Sequence, residues 1–187
     1  VSSTINPSKS YSIPGTFNVS LLATTSLGCI NSVVKPLIVF PVPQADFIMS
    51  NSCQDKIFNF VNASSVATGF LTYEWDFGDG NASTNVNPST NYAVAGAYPI
   101  TLKANSDKGC SNTKIKPLDV YPLPILDFGG LISTCGTTYN LDAENSGSTY
   151  LWSDGSTART LTAQSNGTYS VEITTADNCL LRESVNV

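Results

Sequence analysis

Two carboxylates three residues apart, Asp76 and Asp79, sit in the run Trp75-Asp76-Phe77-Gly78-Asp79-Gly80. That spacing permits three chemistries: paired acid and base carboxylates, part of a calcium shell, or a tight turn. Catalysis lacks its usual partners. The 187 residues include no histidine, the commonest general base, the commonest zinc ligand and the usual activator of a Ser or Cys nucleophile. Calcium would need further oxygen ligands, because two carboxylates make an incomplete shell. A turn needs nothing more, since Asp and Gly supply left-handed backbone and side-chain-to-backbone hydrogen bonds. The turn is therefore the expected role. A calcium pair at Asp76 and Asp79 is the alternative, and no other cofactor is expected. Alternation along the run points Trp75 and Phe77 inward and Asp76 outward.

The five cysteines are the other reactive groups, and they become orderly against an internal repeat. Sliding the chain by 81 residues lays residues 1–47 on 82–128 without a gap, and 19 of the 47 pairs are identical. Asn6-Pro7-Ser8 falls on Asn87-Pro88-Ser89, Gly28-Cys29 on Gly109-Cys110, and Lys35-Pro36-Leu37 on Lys116-Pro117-Leu118. Residues 44–124 read as one whole unit and 1–43 as the back half of another, so the chain is expected to begin mid-domain. Residues 125–187 read as a shorter relative, with Cys135 answering Cys53, Tyr150-Leu151-Trp152 answering Tyr73-Glu74-Trp75, and Cys179 answering Cys110.

Cys53 precedes the second strand of its unit and Cys110 lies between the last two, which predicts a Cys53–Cys110 disulfide. The same logic predicts Cys135–Cys179. Cys29 is left over, with its partner expected upstream of Val1. Each bridge would contribute ~4 kcal/mol in the chain-entropy model, a large share for units with small cores. Zinc is the rival, but there is no Cys-x-x-Cys and no His. Disulfides imply export through an oxidising periplasm to the cell surface or medium.

The elements that must position these groups are strands. Phe17-Asn18-Val19-Ser20-Leu21, Tyr98-Pro99-Ile100-Thr101-Leu102 and Tyr169-Ser170-Val171-Glu172-Ile173 alternate apolar and polar residues with period two, and no segment carries a helical stripe. Gly, Pro, Asn and Asp clusters punctuate the chain about every ten residues, as in a β-sandwich. Val39-Phe40-Pro41-Val42-Pro43 and Val120-Tyr121-Pro122-Leu123-Pro124 join units through stiff, extended Pro-rich links. A net charge of −5 with nine Lys and Arg argues against nucleic acid or an anionic membrane surface as partner. No apolar run approaches the ~20 residues of a membrane span.

Trp75-Asp76-Phe77-Gly78-Asp79-Gly80, with Ser83, Asn87-Pro88, Tyr92 and Gly96-Ala97-Tyr98, resembles the signature of the PKD domain, over 44–124 in full and 1–43 in part. The resemblance implies an all-β fold of tandem immunoglobulin-like sandwiches placed end to end. The Gly-Cys pattern and Pro-x-Pro links are similar to arrays on large secreted proteins of gliding, polymer-degrading Bacteroidota. The last unit resembles the Ig-like module that precedes the sorting domain of type nine secretion cargo. It lacks the full Trp-Asp-Phe-Gly-Asp-Gly run and so is not expected to be a PKD domain.

Trp75 and Trp152 could stack on sugars, but an Ig-like sandwich buries such a Trp, so core is the expectation for both. Four Asn-x-Ser/Thr acceptors, at Asn18, Asn62, Asn81 and Asn166, are weak signals in so Asn- and Ser-rich a chain. No spacing demands Lys–Asn or Lys–Asp isopeptide links. The expected function is non-enzymatic: a stalk or spacer of a cell-surface or secreted adhesin-like protein. Its partners would be neighbouring repeats, surface glycans or anchoring proteins. The alternative is a glycan- or polymer-binding accessory module of a secreted depolymerase. Exposed aromatics would favour the accessory module, and buried ones the stalk.

Overall fold

A computed structural model describes residues 1–133, 136 and 138–187. Among these residues every regular element is a strand. The period-two segments are the strands, because alternation gives each one apolar face to bury.

The chain opens with an antiparallel hairpin of β1 (Gly15–Thr24) and β2 (Ile30–Val39). Short strands follow: β3 (Phe47–Ile48), β4 (Ser52–Cys53), β5 (Ile57–Asn59) and β6 (Val61–Asn62). Next come β7 (Leu71–Asp76), β8 (Ala82–Ser83), β9 (Ser89–Asn91), β10 (Gly96–Ser106) and β11 (Ser111–Tyr121). Strands β4-β11-β10-β7-β8 form one sheet, and the pairs β3-β6 and β5-β9 lie outside it. One core fills the space between. Trp75, Ile100, Leu102, Leu118 and Val120 of the five-stranded sheet cluster with Phe47, Phe58, Phe60 and Tyr92.

The last part of the chain carries β12 (Tyr139–Asp142), β13 (Thr149–Trp152), β14 (Thr160–Ala163), β15 (Thr168–Thr174) and β16 (Leu180–Asn186). Sheet β13-β15-β16 packs with pair β12-β14 around a second core of Leu141, Trp152, Leu161, Val171, Ile173 and Val185.

Hairpins β1-β2 and β10-β11 share one register. Gly15 faces Val39 as Gly96 faces Val120, and Leu21 faces Val33 as Leu102 faces Lys114. Their surroundings differ. Leu102 is fully buried, whereas its counterpart Leu21 is 65% exposed, and Val19 and Leu37 are exposed where Ile100 and Leu118 are not. In the described residues no second layer covers the apolar face of β1-β2.

Three hairpin tips repeat in detail. At Thr25–Cys29, Ser106–Cys110 and Thr175–Cys179, the first residue's N–H donates to the cysteine carbonyl at 2.8–2.9 Å. The cysteine N–H in turn donates to the first residue's hydroxyl oxygen at 3.1 Å. The residue before each cysteine, Gly28, Gly109 or Asn178, has positive φ.

Candidate functional site

The Trp75–Gly80 run leaves β7 and turns towards β8. Trp75 and Phe77 point into the core at 2% exposure, and Asp76 faces solvent, as the alternation predicts. The Trp75 indole N–H donates to the Asn85 carbonyl at 3.0 Å, which satisfies its one polar group. Trp152 is buried to the same degree and donates to the Ala158 carbonyl at 2.8 Å. Neither ring can serve as a sugar platform.

Asp76 Oδ1 accepts from the Gly78 N–H at 2.9 Å. Asp79 Oδ1 accepts from the Asn81 N–H at 2.9 Å and its Oδ2 from Asn81 Nδ2 at 2.8 Å. Gly78 and Gly80 have φ of 74° and 91°, the left-handed region that glycine enters without penalty. Both carboxylates thus hold the turn together. Among the described residues no group of three or more His, Cys, Asp or Glu side chains is placed to hold a metal.

Tyr92 closes the back of this turn. Its hydroxyl donates to the Phe77 carbonyl at 2.9 Å, and its ring packs edge-on against Phe58. Burial, reinforced by nearby Asp79, Tyr98 and Asp76, pushes the phenol well above its ordinary value, so it stays a donor.

Outside the turn, a groove of about 560 Å³ runs over the exposed face of β7, β8 and β10. Glu74, Asp76, Ser83, Thr84, Thr101 and Lys103 line it. Glu74 accepts from Lys103 at 3.2 Å and from Asn105 at 2.7 Å, and these bonds hold its carboxyl below the usual range.

The cysteines depart from the sequence expectation. Cys53 is bonded to Cys179, while Cys110 and Cys29 carry no disulfide. The expected Cys53–Cys110 bridge is ruled out by strand direction. Cys53 lies beside Tyr121 at one end of β11, whereas Cys110 precedes Ser111 at the other. Eleven steps of ~3.3 Å put them ~36 Å apart, against a Cα separation of about 4.4–6.8 Å in a disulfide. The expected Cys135–Cys179 bridge also fails, because the Cys179 sulfur is already engaged by Cys53. Cys135 itself lies outside the described residues. What sequence reading missed is that Cys179, at the tip of the β15-β16 hairpin, meets the strand end that carries Cys53. The available signal was the position of Cys179 between two strand-forming runs, just after Asn178, which fixes it at a strand end.

Comparison with known proteins adds the family. Residues 40–120 match the model of the PKD domain, an immunoglobulin-like module. The chain is similar to the pre-pro-metalloprotease PrtV of Vibrio cholerae, 42% identical over 60 residues, covering 32% of this chain and 6% of that protein. It is similar to collagenase ColQ1 of Bacillus cereus, 49% identical over 39 residues, covering 21% of this chain and 4% of that protein. The chain thus spans about 6% or less of the length of these curated relatives. Among solved structures it resembles the PKD1 domain of Vibrio anguillarum Epp, at 33% identity and a TM-score of 0.41, over 43% of this chain and 95% of that one. It also resembles a carbohydrate-binding module of the β-sandwich superfamily, at 20% identity and a TM-score of 0.43, over 70% of this chain and 54% of that one.

Proposed function

We propose that this chain is a non-catalytic spacer within a longer exported protein: the back half of a PKD-like module at 1–43, a complete PKD domain at 44–124 and a shorter immunoglobulin-like module at 125–187. The observation that carries the reading is the Cys53–Cys179 bond, which ties the strand end beside one core to the hairpin tip of the next. A covalent link at a junction resists bending and pulling, which a spacer needs and a freely hinged accessory module does not. It also fits an oxidising compartment. Buried Trp75 and Trp152 support the same reading. In its finer form the host is a cell-surface adhesin exported by the type nine route; a sorting domain in the parent sequence would support that form.

Small-angle scattering tests the spacer. End-to-end modules of ~35–40 Å, each set by about ten residues of strand plus loops, give a longest dimension near ~100 Å. A compact globule of this length would have a radius of gyration near ~16 Å, and that result would overturn the reading.

A second reading, a glycan-binding accessory module, is favoured by the groove over β7, β8 and β10, where the polar side chains of Glu74, Ser83, Thr101 and Lys103 border an apolar floor. Calorimetric titration with soluble polysaccharides decides it. Binding that is abolished by Lys103→Ala at unchanged Tm supports the groove, and no heat with any glycan removes it.

A further inference from the structure

Cys110 occupies the β10-β11 tip as Cys179 occupies the β15-β16 tip, with the same backbone bond and the same bond to a side-chain hydroxyl, yet it is unbonded in this chain. Tip geometry alone would say nothing about a partner, but two further observations do. First, the equivalent cysteine, Cys179, is disulfide-bonded here, to a residue on a strand that runs parallel to the end of β11 and pairs Cys53 with Tyr121. Second, the residue answering Tyr121 in the repeat is Phe40, the residue just after β2, and the Cys110 tip reaches it. Lys108 Nζ lies 5.9 Å from the centre of the Phe40 ring. A cysteine placed beside Phe40 as Cys53 is placed beside Tyr121 would therefore meet Cys110.

We infer that Cys110 is an inter-module disulfide site, whose partner is the Cys53-type cysteine of the module that β1 and β2 belong to. The rule is directional: the hairpin-tip cysteine of each module bonds the β4-type cysteine of the module before it. Cys29 obeys the same rule one module earlier. The inference rests on reading the chain as successive modules, and it adds a covalent chain of junctions along the array.

The bond forms by exchange with a small-molecule disulfide such as oxidised glutathione. The Cys110 thiolate attacks it, forming a mixed disulfide and expelling one glutathione thiolate. The partner thiolate then attacks the Cys110 sulfur and expels the second. Two cysteine thiols are oxidised by two electrons, and one glutathione disulfide is reduced to two thiols.

The 81-residue period supplies the test. A copy of residues 44–81 fused directly before Val1 of the intact chain recreates an unbroken repeat, because Val1 answers Ala82. After refolding in a glutathione redox buffer, the protein is alkylated under denaturing, non-reducing conditions and mapped, and amide exchange is read on β1-β2. The expected result is a peptide joining Cys110 to the added copy of Cys53, with Cys110 alkylation down about tenfold, restored by Cys→Ser in the copy. Free Cys110 with protected β1-β2 amides overturns the pairing rule and leaves the spacer reading standing. Free Cys110 with unprotected amides overturns the premise that such strands complete this sheet, and the inference with it. Cys110 bonded to the original Cys53 overturns it as well. A compact scattering profile despite the Cys110 bond would instead strike the spacer reading alone.

Discussion

Cys53 and Cys179, 126 residues apart in sequence, lie with their Cα atoms 5.6 Å apart and are joined by a disulfide. Between them runs most of both cores, so the bond constrains the unfolded state of each. In the chain-entropy model a loop of that length contributes up to ~5 kcal/mol, shared between the two cores when both unfold. Reduction, or Cys179→Ser, should lower both unfolding transitions in a calorimetric scan. A shift confined to one transition would show that the bond acts on a single core.

Each tryptophan should matter to its own core alone. Trp75→Ala and Trp152→Ala each remove a buried ring and leave a cavity, at a cost of roughly 3–5 kcal/mol. Chemical denaturation followed by the remaining tryptophan should show the other core nearly unchanged.

The turn after β7 should be intolerant at Gly78. Its φ is 74°, and a Cβ built there would come within 2.8 Å of Pro99 Cδ and 3.1 Å of the Pro99 backbone. Gly78→Ala should cost about 2 kcal/mol or more, from the left-handed backbone plus the contact. Gly80, with similar φ but open space around it, should cost only the backbone share. Paired urea melts measure the difference.

Acid should loosen the last part of the chain through Asp142. Arg159 grips this carboxyl in a fork, Nε to Oδ1 at 2.7 Å and Nη2 to Oδ2 at 2.8 Å. That hydrogen bonding, helped by the Glu144 N–H, holds the carboxyl below its ordinary 3.8. A group depressed on folding adds stability that is fully present above the unfolded value and lost as pH falls through the folded one. The loss should therefore come below about pH 3.8, and Arg159→Gln should move the Asp142 titration back up towards that value by NMR. Both side chains are partly exposed, so salt should weaken the effect.

Hairpin β1-β2 should exchange its amides far faster than β10-β11 despite identical register. A two-stranded hairpin without a second layer is marginal in water, and Leu21 lacks the burial of Leu102. Equal protection in the two hairpins would mean that something already covers the β1-β2 face.

The sequence by itself determined the strands, the shared register of the two long hairpins, the inward aromatics at Trp75 and Phe77, and the turn role of Asp76 and Asp79. All of these follow from patterns spanning a few residues: period-two alternation, Gly and Asp at turns, and a repeat without gaps. Only the tertiary structure decided the disulfide. Cys53 and Cys110 share a unit in sequence, but β11 carries them to opposite ends of it. Each strand end meets whatever the Pro-rich links bring to it, and a link's reach and direction belong to the assembled modules rather than to the spacing of cysteines along the chain.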